Sequence, residues 1–181
     1  MEESLLAQRR TALTKRWIDA VLNTYPADAA GFMRRQQDAF ANPGGHLVRQ
    51  CIEALVEALD TGVDREKIVP PLEGLLKLRA LQDFTPSQAL QFVFTVKTTL
   101  REELSFAPQA PEWDTLDTRV DAIALVAFDV YMGCREKVYE VRYNQLKKLN
   151  HVMLERANRG PARARSKTSS ETEPDDRGDE G

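Results

Sequence analysis

The sequence predicts an all-α fold, a single helical bundle with a long C-terminal helix, and three observations carry that reading. Apolar residues return every three or four positions along most of the chain, the spacing of a buried helix face. Turn and capping residues punctuate those stretches at Asn42-Pro43-Gly44-Gly45, at Gly62 and at Thr85-Pro86. With 181 residues, 42% hydrophobic and 29% charged, the chain has apolar material for one packed domain plus accessory segments.

Taken in order, the first helix is expected from about Ser4 to Asn23, with Leu6, Leu13, Trp17, Ile18 and Val21 inward and Arg9, Arg10, Lys15 and Arg16 outward. Tyr25-Pro26 stops it. A short helix over roughly Asp28 to Phe40 is expected to anchor through Phe32, Met33 and Phe40, and it ends at the Asn42-Pro43-Gly44-Gly45 turn. That turn lacks the spaced glycines and the following Lys-Ser or Lys-Thr of a phosphate loop. A third helix, His46 to Asp60, places Leu47, Val48, Cys51, Ile52, Leu55, Val56 and Leu59 in a core, and Gly62 closes it.

From Asp64 the pattern gives a short helical turn, then an interruption or kink at Pro70-Pro71, then resumption through Leu72, Leu75, Leu76, Leu78 and Leu81. Thr85, Pro86 and Gln88 read as N-cap, first helical residue and capping-box partner of a helix reaching about Leu104. Its buried face is Ala89, Phe92, Val93, Val96, Leu100 and Leu104, widened by Leu90 and Phe94. A Pro-rich loop over 106–111 leads to a last helix starting near Asp114 or Asp117 and running to about Arg159.

That helix changes character along its length. Val120, Ala124, Ala127, Tyr131, Cys134, Val138 and Val141 keep a seven-residue repeat, which fails at Gln145 and Lys148. The first half reads as packed in the bundle. The second, with Tyr139, Tyr143, Leu146, Leu149 and Met153, reads as a surface for self-association or a partner helix, against the alternative of a solvated extension. Residues 160–181 carry a basic then an acidic block without large apolar residues, which predicts a disordered, solvating tail. The domain proper is therefore expected over residues 4–158.

Charge and composition exclude several classes. A net charge of −3 offers no general attraction to nucleic acid, so no nucleic-acid partner is expected. No apolar run is long enough for a spanning helix and the N-terminus is acidic, so membrane insertion and secretion are not expected and the cytoplasm is. Cys51 and Cys134, far apart on apolar faces, read as reduced core thiols. His46 and His151 have no second ligand at metal spacing, and neither sits where a haem would want an axial histidine. Ser87 lacks a nucleophile elbow and a nearby base. No catalytic residue, cofactor or metal is expected, and the chain reads as a non-enzyme.

Two charges interrupt apolar surfaces. Lys97 falls among Val93, Phe94, Leu100 and Leu104, and Asp129 is the one charge between Ala122 and Cys134. They are the candidate buried polar pair, since a charge in a core needs a partner. The alternative is an exposed Lys97 with Asp129 bonded to another arginine, such as Arg79 or Arg135.

The stretch Leu78-Arg79-Ala80-Leu81-Gln82-Asp83-Phe84-Thr85-Pro86-Ser87-Gln88-Ala89, then Phe92-Val93-Phe94 with Lys97, the earlier Phe40-Ala41-Asn42-Pro43-Gly44, and residues 128–136 from Phe128 to Glu136 resemble the N-terminal helical domain of RsbR-type RsbT co-antagonists, the RsbRD N-terminal domain family. The resemblance covers about Leu5 to Arg156 and implies a globin-like bundle without haem. It further implies a homodimer that passes a stress signal along its final helix to a C-terminal STAS domain. Here a polar tail stands where that domain would begin, so the expectation is a stand-alone sensory or interaction module without STAS chemistry. The alternatives are a haem-type sensor and a small-ligand carrier with an apolar pocket near Phe92, Phe94 and Phe128.

Overall fold

The computed structural model describes residues 5–36, 38–104 and 110–167, with side chains through residue 158. Six helices follow one another: α1 (Leu5–Leu22), α2 (Ala27–Arg35), α3 (Pro43–Thr61), α4 (Arg65–Leu81), α5 (Pro86–Glu103) and α6 (Pro111–Lys167). Among the described residues there is no strand. Contacts divide the chain into a unit Met1–Val138 and a unit Tyr139–Gly181, with α6 contributing to both.

In the first unit α3 packs against α4 and α1, and α1 packs in turn against α5. The reason is the width of the α3 apolar face. Val48, Cys51, Ile52, Leu55, Val56 and Leu59 are all fully buried, too broad a stripe for one neighbour to cover. On α1, Leu6, Leu13, Trp17 and Val21 make a narrower face. Trp17 buries its indole by donating from Nε1 to the Phe92 carbonyl of α5 at 2.8 Å, so no polar group is left without a partner.

Helix α2 departs from expectation. It ends at Arg35 rather than reaching Phe40, and only Ala30 is buried on it. Phe32 is half exposed and Phe40 is 96% exposed, so neither is an anchor; Met33 alone of the expected three packs against the core. The physical reason lies in the capping of α3, which begins at Pro43, ahead of the expected His46. Asn42 accepts from Gly45 N at 2.8 Å and donates from Nδ2 to the carbonyls of Met33 and Gln36. One buried asparagine thus starts α3 and closes the end of α2.

Helix α4 is continuous through Pro70 and Pro71, correcting the expected interruption. Both prolines fall in the second turn, where the carbonyls they leave unbonded belong to Glu66 and Lys67, two exposed residues that water can reach. Helix α5 begins with the expected capping box: Thr85 caps Gln88 N, and the Gln88 side chain accepts from Thr85 N. Leu90 joins its buried face, whereas Phe94 is half exposed and does not.

Helix α6 starts at Pro111, earlier than expected, and buries Leu116, Val120, Ile123, Ala127, Tyr131 and Cys134 in the core of the first unit. Arg119 caps the end of α3 by donating to the carbonyls of Leu59 and Asp60, a cation placed at a helix C-terminus. Past its expected end near Arg159, α6 continues through residues 160–167 as helix, which shortens the expected tail; residues 168–181 lie outside the described residues.

Candidate functional site

The most heavily bonded polar group in the core is Arg79, in the last turn of α4. It lies on the face of Leu72, Leu75 and Leu76, and its side chain is fully buried. Nη1 donates to the carbonyls of Ala89 (2.8 Å) and Gln88 (3.3 Å) on α5, Nη2 to Thr24 Oγ1 (3.1 Å), and Nε to Tyr25 Oη (3.3 Å). The guanidinium carbon stands 5.0–5.4 Å from the ring centres of Tyr25, Phe84 and Phe92. Among the described residues no carboxylate pairs with it. The charge is instead held by carbonyl dipoles, hydroxyls and aromatic faces, the planar five-donor geometry that suits arginine and not lysine.

The local backbone explains why Phe84 reaches this cation. Helix α4 closes with Phe84 N bonded to Arg79 O and Asp83 N bonded to Ala80 O. Asp83 adopts φ 59°, the left-handed conformation of that closure, which folds Phe84 back over the last turn. Tyr131 of α6 then donates its phenol to the Phe84 carbonyl. A single node therefore fastens the end of α1, the α4–α5 turn, the start of α5 and the middle of α6. Cys51 lies near it; burial pushes its thiol up to about 12, only partly opposed by the Arg79 charge. Both cysteines are free and buried, in line with the reading as core thiols.

The expected Lys97–Asp129 pair does not form. Lys97 Nζ lies 3.2 Å from Asp117 and 3.1 Å from Asp121, and Asp129 pairs with Arg65 at 3.2 Å. The Asp129 side chain is 60% exposed and is no core charge. Levels in an antiparallel helix pair are set by distance from the connecting loop. Lys97 is six residues before the end of α5 and Asp117 six after the start of α6, whereas Asp129 lies about 18 Å further along than Asp117 at 1.5 Å per residue. Arg79, the alternative partner for Asp129, is committed to the node.

Phe92, Phe94 and Phe128, the expected pocket, do not share one interior. Phe92 faces Arg79, while Phe94 and Phe128 are half exposed. His46 is exposed, and His151 is exposed with Nε2 3.4 Å from Glu155. Among the described residues no group of three His, Cys, Asp or Glu side chains is placed to hold a metal, and no helix is long and apolar enough to cross a membrane.

The second unit is described by its surface. Every side chain from Tyr139 to Asn158 is exposed. Tyr139, Tyr143, Leu146, Leu149 and Met153 are each between half and about two-thirds exposed. At about 100° per residue their spacing of three and four gathers all five within about 120° of the helix circumference.

The sequence reading passed over Arg79 as a node, although the leucine period of α4 carries the signal: a basic residue three and four positions beyond Leu76 and Leu75 falls on the buried face. No curated protein and no solved structure matches the chain. A family model described as the RsbT co-antagonist protein rsbRD N-terminal domain matches residues 11–146, from α1 through the core part of α6 and into the exposed stripe. The match takes in well over half of the sequence and includes the Arg79 node and Tyr131. The chain belongs to the rsbRD N-terminal domain family of RsbT co-antagonist proteins.

Proposed function

We propose that this chain is a non-enzymatic signalling module that engages protein through α6, beginning with a second copy of itself. The observation that carries the reading is the stripe Tyr139, Tyr143, Leu146, Leu149 and Met153, five large apolar side chains on one helical face exposed to water. Scattered exposed apolar residues are ordinary, but a contiguous stripe at helical spacing marks a surface that another helix covers. Its spacing suits helix-on-helix association of the coiled-coil type. Membership of the RsbT co-antagonist family supports a role in stress signalling.

The Arg79 node supports the same reading from the other side. Four elements converge on it and one of them is α6, so a rearrangement of α1, α4 or α5 changes what holds Tyr131. A buried polar node of this kind favours one packing over its neighbours, which is the property a two-state signalling domain needs.

Light scattering at micromolar concentration tests the proposal. The full chain is expected to give the mass of a dimer, and a chain ending at Val141 the mass of a monomer. One monomer mass for both contradicts self-association. An absorption spectrum of the purified protein checks the haem alternative, and a Soret band contradicts the reading as a haem-free domain.

A further inference from the structure

We propose that the groove walled by α1, α2 and α3 is a binding site for a small amphiphilic monoanion, a carboxylate carrying a short apolar body. The site goes beyond the protein-interaction reading and does not involve α6. The groove encloses about 700 Å³, within the range of small-molecule sites. Ile18 and Leu22 are the large apolar residues that line it.

The charges around it select the ligand. Arg34 pairs with Asp19 at 3.1 Å, and Arg10 pairs with Glu57 at 3.2 Å. With those two pairs set aside, Arg49 and Lys15 stand against Glu53, so one positive charge is left uncompensated in the groove. Arg49 decides the chemistry. It is half buried, and its Nη2 donates to the carbonyls of Met33 (2.7 Å) and Gln36 (3.2 Å) at the end of α2. Among the described residues its Nε and Nη1 meet no acceptor and no carboxylate pairs with it. The α2 carbonyls therefore hold a guanidinium in place with donors to spare, and a charge-assisted bond from such a group is worth more than a neutral one.

Glu53, one turn along α3, is the competing acceptor. It lines the same groove without pairing with Arg49. A ligand carboxylate that takes the free Arg49 donors must tolerate that negative charge nearby, so a monoanion is favoured over a phosphate dianion. Lys15, exposed on the rim, adds attraction without a fixed contact.

Isothermal titration calorimetry on the full chain with octanoate, octanamide and acetate tests the site. Octanoate is expected to bind once per chain, with octanamide, which lacks the charge, and acetate, which lacks the body, about tenfold weaker or more. Arg49→Gln is expected to weaken octanoate about tenfold, and Glu53→Gln to tighten it. Because Arg49 also closes α2, Lys15→Gln serves as the second variant, with intact helicity and a smaller loss of affinity expected. Octanamide binding as tightly as octanoate overturns the proposal. So does octanoate binding that is indifferent to both Glu53→Gln and Lys15→Gln, or no saturable binding at concentrations of order 10 mM.

Discussion

The phenol of Tyr131, in the middle of α6, donates to the backbone carbonyl of Phe84, in the turn between α4 and α5. The same Phe84 lays its ring 5.3 Å from the Arg79 guanidinium, so α6 is joined to the core cation through one residue. Tyr131→Phe removes the hydroxyl and keeps the ring. It is expected to destabilise the protein by about 1 kcal/mol in urea unfolding, and to speed hydrogen exchange in the turn around Phe84. Unchanged exchange there would mean that the bond does not hold the turn.

Arg79 is expected to tolerate neither Met nor Lys. Methionine fills comparable space but leaves Thr24, Tyr25 and the α5 carbonyls without their donor, and lysine offers one point donor where four acceptors are spread around a plane. Each is expected to cost about 3 kcal/mol in chemical unfolding. A lysine variant as stable as wild type would show that the charge matters and the planar geometry does not.

Lys97 is coupled to Asp121 and not to Asp129. Burial draws its ammonium down, but hydrogen bonds and charge from Asp121 and Asp117 outweigh that and raise it above the ordinary value. A raised basic group stabilises fully below its unfolded value of 10.5, and the stabilisation is lost as pH rises through the folded value above that. A double-mutant cycle of Lys97→Met with Asp121→Asn, both near the surface, is expected to show about 0.5 kcal/mol of coupling at pH 7. The same cycle with Asp129→Asn is expected to be additive.

These residues show which part of the structure a sequence makes visible. The α5 capping box, the α3 core face and the repeat from Val120 to Val138 follow from local spacing and local hydrogen bonds, so they could be read directly, whereas the last expected member of that repeat, Val141, is exposed. The Lys97 partnership could not be read directly. It depends on where α6 begins, at Pro111 rather than at Asp114 or Asp117, and on levels set by distance from the loop between α5 and α6, which no local spacing carries. Phe32 and Phe40 failed for a related reason. Asn42 fixes the end of α2 from outside it, and no period within 28–40 carries that information.

Stability is expected to fall in alkali because of Cys51. Its thiol is raised to about 12 by burial, against 9.0 when unfolded, so the folded protein keeps a proton that the unfolded chain gives up. The stabilisation is whole below pH 9 and is lost as pH rises toward 12. Cys51→Ala, measured between pH 8 and 10.5, is expected to lower stability overall and to flatten the slope of stability against pH. An unchanged slope would place the alkaline sensitivity elsewhere.

The stripe on α6 is where the account is most exposed to test, and sedimentation velocity of Leu146→Asp/Leu149→Asp beside wild type reads it most directly. Both side chains are already exposed in the single chain, so the double variant is expected to keep the helical circular dichroism and melting temperature of the bundle. At micromolar concentration wild type is expected to sediment as a dimer and the variant as a monomer. A variant that sediments with wild type, whether both are dimers or both monomers, would contradict self-association through this face.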